Sequence, residues 1–348
     1  MSAPKIQTFR PRTGLRGVGA FWVVLFHTFH ESPVGFVSAG YLGVDLFFVL
    51  SGFIITHVHG EDFKVFSWGA YFRFLMLRIA RIFPLHIVVL GLFAVFVFSA
   101  PGFIEPYHAP ERWNVSSLVQ TFLLVNNWFG WPPFWNSPSW SLSAEWLGYL
   151  AFPVLARATV GFESSRLFFL AAVTSIFLMV IVLALTGDAN FSGMGGSGLV
   201  RMAGGFTTGC MVYRYLRANP GPQPGQTTLW ACVLITLGIS FEEWRFLTFF
   251  GFPALILGVV TEETWLSRLL CTRPATFIGE ISFSIYMCHW PLLQIQNWAV
   301  AHEVLSEKAG LALVLLAICG LSVLSWKYIE LPARNRGRRF IQERFIPH

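Results

Sequence analysis

Ten apolar stretches recur along this chain, and each approaches the length a helix needs to cross a membrane. A hydrocarbon core of about 30 Å takes roughly 20 helical residues. The stretches lie at approximately 15–32, 39–59, 80–100, 138–157, 166–186, 198–214, 228–241, 246–261, 276–298 and 309–327. A further apolar piece, 116–128, is too short to span alone. It reads as a re-entrant or interfacial helix inside one large outer segment, 101–137, dense in tryptophan and proline. Hydrophobic residues make up 55% of the chain and charged residues only 12%, where a soluble domain carries about 25% charged. The expected fold is therefore all-α and integral to the membrane, a polytopic bundle of about ten transmembrane helices.

Charge sets the orientation. With the N-terminus in the cytoplasm, the inner segments collect Lys5, Arg10, Arg12 and Arg16, the run from Lys64 to Arg81, and the basic stretch from Lys327 to Arg344. Among the 24 Lys and Arg residues, only Arg112, Arg201, Arg245 and Lys308 fall outside or within a span. The positive-inside rule favours this arrangement, so both termini are expected in the cytoplasm. The net charge of +6 is then a topology signal and does not point to nucleic acid. Residues 1–348 read as one membrane domain, with core helices at about 10–330 and a basic cytoplasmic tail at 331–348. No cleavable signal and no internal repeat is evident. Cys210, Cys232, Cys271, Cys288 and Cys319 lack metal-ligand spacing and are expected to pack as small side chains, with no metal site.

Ionisable residues at bilayer depth cost several kcal/mol on insertion scales, about 2.5–3.5 at a helix centre, and they normally face a partner or a cavity. In the first span, LRGVGAFWVVLFHTFH, Arg16 and His27 stand about 16 Å apart along the axis. His27, His30 and Glu31 share a face at i, i+3, i+4. Arg16 suits a snorkelling anchor and His30 and Glu31 an outer interface, whereas His27 lies deeper. Asp45, in GYLGVDLFFVLSGFIITHVHG, has no positive charge within its own helix. It needs a partner from elsewhere, and an Asp–His pair would orient an imidazole and raise its basicity.

Arg73, Arg78 and Arg81 gather in YFRFLMLRIARIFP, with Arg78 and Arg81 able to project together at i, i+3. Ordinary anchoring explains them, and so does recognition of a polyphosphate by guanidinium forks. In NSPSWSLSAEWLGYLAFP, Ser141 and Glu145 share a face at i, i+4. Glu145 is placed to bind a sugar hydroxyl, accept a proton, or pair with a buried arginine such as Arg201. The adjoining tryptophans, Trp140 among them, suit an interfacial belt or a platform for sugar rings.

Taken in order, LRGVGAFWVVLFH, GYLGVDLFFVLSGFIIT, RIARIFP, PSWSLSAEW, RMAGGFTTG, ISFSIYMCHWPLL and YIELPAR resemble the acyltransferase-3 family of bacterial integral membrane acyltransferases. That resemblance implies a ten-helix core in the bacterial inner membrane. It also implies transfer of an acyl group, usually acetyl, from cytoplasmic acyl-CoA to a hydroxyl acceptor. Such acceptors are usually exopolysaccharide, lipopolysaccharide or lipid-linked glycan, and occasionally a macrolide-type small glycoside. The chain resembles the stand-alone form, without a fused SGNH domain. Where many members carry two consecutive acids and a glutamine, this sequence has only Glu145 followed by Trp146.

On that resemblance His27, Asp45 and Glu145 are the candidate catalytic residues, and Arg16, Arg78 and Arg81 the candidate acyl-CoA ligands. Trp140, Ser141, Arg201 and His289 are the candidates for holding the acceptor. No bound cofactor or metal is implied beyond acyl-CoA as donor substrate. The rival expectation is a proton-coupled transporter or flippase, which intramembrane His, Asp, Glu and Arg also suit. It is weakened by the missing internal repeat.

Overall fold

The structure is a computed structural model that describes residues 10–29, 31–100, 113–128, 135–159, 164–188, 191–219 and 225–345, and all regular structure within them is helical. His30, Lys5 and Arg112 lie outside the described residues. The helices are α1 (Arg10–Thr28), α2 (Gly35–Ser38), α3 (Gly43–His59), α4 (Trp68–Ser99), α5 (Val115–Phe122), α6 (Ser139–Ala158), α7 (Ser165–Leu185) and α8 (Gly196–Ala218). They continue with α9 (Thr227–Ser240), α10 (Leu247–Thr261), α11 (Trp265–Leu270), α12 (Arg273–Glu280), α13 (Ser282–Ala301), α14 (Glu307–Ser325) and α15 (Leu331–Phe345). Four helical runs are long and apolar enough to cross a membrane: Gly40–His59, Trp68–Ser99, Ser165–Leu185 and Glu307–Arg344. Their outer faces carry exposed apolar side chains such as Leu92, Val95, Leu170, Leu178, Leu185 and Leu316, the surface a lipid-facing helix presents.

Beyond shifts of a few residues at helix ends, three stretches depart from the apolar pattern, each for a local reason. Helix α4 begins at Trp68, well before residue 80, because the arginine-bearing YFRFLMLR segment is itself helical. The Ser67 side chain caps it, accepting a hydrogen bond from the Ala70 N–H at 3.1 Å. The stretch 276–298 is two helices, parted at Ile281, where the Ser282 hydroxyl donates to the Gly279 carbonyl at 2.8 Å. The piece 116–128 forms only α5, which stops before Leu124, a residue at φ 56° in the left-handed region.

By compactness the chain divides into two units, each built from two separated segments. The first combines the chain up to Phe66 with Ala151–Ser282; the second combines Ser67–Leu150 with Phe283 onward. In the first unit α3 and α8 lie backbone to backbone. A side chain at Gly52 would strike the Phe206 carbonyl, and one at Gly209 would strike the Val49 carbonyl. Lipid supplies no hydrophobic drive for helices to associate, so close packing and hydrogen bonds must hold them together. The bond between the Ser175 and Thr208 hydroxyls, 2.6 Å, ties α7 to α8 in the same way.

Helices α9 and α10 are locked by a carboxylate. Glu262, just past α10, accepts from the Thr227 N–H at 2.8 Å, the Thr228 N–H at 3.0 Å and the Thr228 hydroxyl at 2.5 Å. It therefore caps the N-terminus of α9, where the helix dipole also favours a negative charge. Burial pushes its carboxyl up, but the hydrogen bonds from Thr228 and Thr227 outweigh it and hold the group below the usual carboxylate range. Glu262→Ala is expected to destabilise the protein by about 1 kcal/mol, the typical cost of losing a cap, read as a lower unfolding temperature in detergent micelles. With the folded-state value depressed, this stabilisation is present above the unfolded-chain pKa and is lost as pH falls through the folded value. The variant and the unaltered protein should thus converge in acid.

In the second unit, Leu90, Phe93, Ala94 and Val97 of α4 pack around Trp135, with Trp113, Trp290 and Trp298 against them. Trp135 is fully buried and donates its indole N–H to the Ser117 hydroxyl at 2.9 Å. Buried asparagines secure the neighbouring loops: Asn126 donates to Ser139 Oγ at 3.2 Å, and Asn136 donates to the Met287 carbonyl at 3.1 Å. Trp135 and Trp140 are core residues, not members of an interfacial belt.

Candidate active site

In the first unit, α1 brings its histidine into its last turn. His27 is half-buried, and its Nδ1 lies 3.1 Å from the Val23 carbonyl, one turn back. A carbonyl oxygen only accepts, so Nδ1 carries the proton and Nε2 is the basic nitrogen. Phe26, beside it, meets Tyr41 edge-on at 5.6 Å. Arg16 is half-buried about three turns earlier on the same helix, and Arg12 is buried, with its guanidinium 5.1 Å from the centre of the Phe53 ring.

Asp45 enters α3 in its first turn, where the dipole favours an anion. Its partner is Arg201 of α8. Arg201 Nε donates to Oδ1 at 3.0 Å and Nη2 to Oδ2 at 2.6 Å, a bidentate fork between two fully buried side chains. The third nitrogen, Nη1, donates to the Gly193 carbonyl at 3.0 Å. Tyr41 lies against this pair, its ring 5.9 Å from the Arg201 guanidinium and 5.6 Å from that of Arg245, and its hydroxyl accepts from Arg245 at 2.7 Å. Both oxygens of Asp45 are thus committed to an arginine, while His27 is oriented by its own helix.

In the second unit, the two arginines of RIARIFP have different neighbours. Arg78 sits between the rings of Phe74 and Tyr149, 5.8 and 6.0 Å from their centres. The Tyr149 hydroxyl donates to Glu145 Oε1 at 2.6 Å, one turn away on α6. Arg81 instead forms an ion pair with Glu330, which is fully buried. Glu330 also lies 3.5 Å from Arg334 and accepts from the Ser284 hydroxyl at 3.1 Å. It belongs to a π-helical turn, Trp326–Glu330, that joins α14 to α15. Such turns widen a helix locally and often occur at functional sites.

The remaining candidates are held by neighbours. Ser141 lies 2.6 Å from the Tyr286 hydroxyl and donates to the Pro138 carbonyl at 3.0 Å. Trp140 is buried. His289 is fully buried, with Nδ1 directed at the Tyr286 carbonyl at 2.7 Å. Glu330, Tyr149 and Arg12 were not singled out by sequence. Tyr149 carries the signal of standing four residues after Glu145, and Glu330 lies within the YIELPAR motif.

Arginines and carboxylates paired inside helices whose outer faces are apolar define the class: a helical protein of membrane type with a polar interior. Residues 13–331 match the family model described as an acyltransferase domain, acyltransferase-3, and the chain belongs to that family. Among its relatives is the Bacillus subtilis protein provisionally named peptidoglycan O-acetyltransferase YrhL, 27% identical over 99% of this chain and 58% of its own length. A provisionally named O-acetyltransferase of Staphylococcus aureus is 23% identical over 96% of this chain and 59% of its own length. Acyltransferase MdmB of Streptomyces mycarofaciens is 31% identical over 49% of this chain and 44% of its own length. The chain spans somewhat under two thirds of the length of the first two relatives. No solved structure matches.

Proposed function

We propose that the protein is an O-acyltransferase that moves an acetyl group from acyl-CoA to a hydroxyl of a carbohydrate acceptor. The observation that carries this reading is His27, held by the Val23 carbonyl in the tautomer that leaves Nε2 basic. A neutral imidazole with a free ring nitrogen can serve as a general base. Nε2 takes the proton of the acceptor hydroxyl while its oxygen attacks the thioester carbonyl. The C–S bond then breaks, and the departing sulfur recovers the proton from His27. The products are an acetyl ester and free CoA thiol.

Arg78 and Arg81 bind the phosphates of the donor, as guanidinium forks do. Glu145 acts through Tyr149 and Arg78, Glu330 acts through Arg81, and Asp45 acts through Arg201. The acceptor is handled near Trp140, Ser141 and His289. A carbohydrate acceptor fits the family and the name of the Bacillus relative, which specifies peptidoglycan. The setting is the bacterial cytoplasmic membrane, crossed by about ten helices with both termini inside, as the distribution of Lys and Arg supports.

The test is release of CoA thiol from acetyl-CoA by the purified protein, dependent on added glycan and accompanied by acetylated product. A carrier would consume no acetyl-CoA. Arg78→Ala with Arg81→Ala is expected to raise the acetyl-CoA KM by roughly ten- to a hundredfold, the worth of a charge-assisted contact. An unchanged KM would reduce these arginines to anchors.

A further inference from the structure

Positive charge at the ends of membrane helices is ordinary when it is exposed to water or headgroups. In the first unit, where α1 begins and α3 and α8 end, part of it is buried instead. Arg214 is 9% exposed, and its Nε and Nη2 have no hydrogen-bond partner among the described residues. Leaving charged N–H groups dry and unsatisfied is costly. Its ionic neighbour among the described residues, Glu61, stands 3.6 Å from Nη1, beyond good hydrogen-bond length. The same Glu61 oxygen lies 3.9 Å from Arg217, and the other oxygen is held by Lys64.

Further cationic and polar groups converge here. Arg12 is buried on the Phe53 ring, and Phe53 meets Tyr213 at 5.5 Å. The Tyr213 hydroxyl lies 3.1 Å from His57 Nδ1 and interacts electrostatically with Arg217. His59 is engaged by Asp62 at 3.0 Å. Among the described residues Lys64, Arg214 and Arg217 share the single carboxylate of Glu61, which with Asp62 lies on the three-residue turn after α3. Gly60 puts no side chain against Arg214 Nη2, which a Cβ there would approach to 3.3 Å.

We propose that this end of the first unit is a phosphate-ester site, with Arg214 and Arg217 as its ligands, Arg12 supporting them, and Glu61 as the resident competitor. An arriving phosphate displaces the Glu61 carboxylate and supplies the acceptors that Arg214 lacks. The phosphate ester comes from the nucleotide end of acyl-CoA, in which case the site extends the reading given above, or from an anionic phospholipid headgroup.

The test uses the full chain in phospholipid-free detergent, titrated calorimetrically with inorganic pyrophosphate. Glu61→Gln is expected to tighten binding several-fold, because it removes the competing charge without removing a ligand. Arg214→Gln is expected to weaken binding by about tenfold or more, in line with losing a charge-assisted contact. Should Arg214→Gln not fold, Arg217→Gln, at an exposed position, serves in its place with a smaller loss. A preference for CoA over dephospho-CoA that Arg214→Gln abolishes would assign the nucleotide source. A stabilisation by phosphatidylglycerol over phosphatidylcholine micelles, lost in the same variant, would assign the headgroup. Equal pyrophosphate affinity in the unaltered protein and in Glu61→Gln, or no measurable binding at all, overturns the site whether or not acetyl transfer is found.

Discussion

His27→Ala is expected to lower the rate of acetyl transfer by about a hundred- to ten-thousandfold, the range that a positioned general base contributes, with little change in unfolding temperature. The second half of that expectation is structural. His27 is half-buried in the last turn of α1, and its Nδ1 bonds within its own helix. That bond ties α1 to no other helix. The measurement is CoA thiol release per folded molecule, with folding checked by thermal unfolding in micelles. His27→Gln sharpens the reading, since an amide can still donate to the Val23 carbonyl but takes up no proton. If Gln restores turnover, His27 only shapes the site and the general-base role is lost.

The largest effect on stability is expected at the Asp45–Arg201 fork. Removing one partner leaves the other as an uncompensated buried charge, at a cost of about 3–5 kcal/mol. Asp45→Leu and Arg201→Met should each unfold well below the unaltered protein. Together they are expected to recover much of the loss, because an apolar pair of similar volume is often neutral relative to a buried ion pair. Additive losses in the double variant would show that the two residues are not energetically coupled. The same double variant separates support from chemistry. With Asp45 acting through Arg201, the residual activity of the double variant should resemble that of Arg201→Met alone.

Helix positions were largely legible because apolar runs and their punctuation are local. Thr227–Ser240 and Leu247–Thr261 match the expected 228–241 and 246–261 almost residue for residue. Where charge interrupts a helix, the local signal fails, and this is why α4 begins at Trp68 unannounced. The pairing of ions was not legible, for a different reason. Asp45 and Arg201 are separated by 156 positions, and sequence shows only that Asp45 lacks a cation on its own helix. It offers no means of choosing Arg201 for Asp45 over Glu145. Arg78 and Arg81 share a helical face at i, i+3, yet Tyr149 and Glu145 claim one and Glu330 the other. Tryptophan misleads by composition: Trp135 resembles a belt residue until its buried bond to Ser117 is seen.

The π turn at Trp326–Glu330 acts as a phase shifter along one continuous rod. Each residue of an α-helix advances the side-chain direction by about 100°, and the Leu331 N–H reaches back five positions to the Trp326 carbonyl, not four. One surplus residue is thereby absorbed, so α14 can point Leu313 and Leu316 outward while Glu330 still aims at Arg81. Deleting a single residue from this turn would return the rod to ordinary winding. Everything beyond it, Arg334 included, would then be dialled away from the bearing that α4 requires.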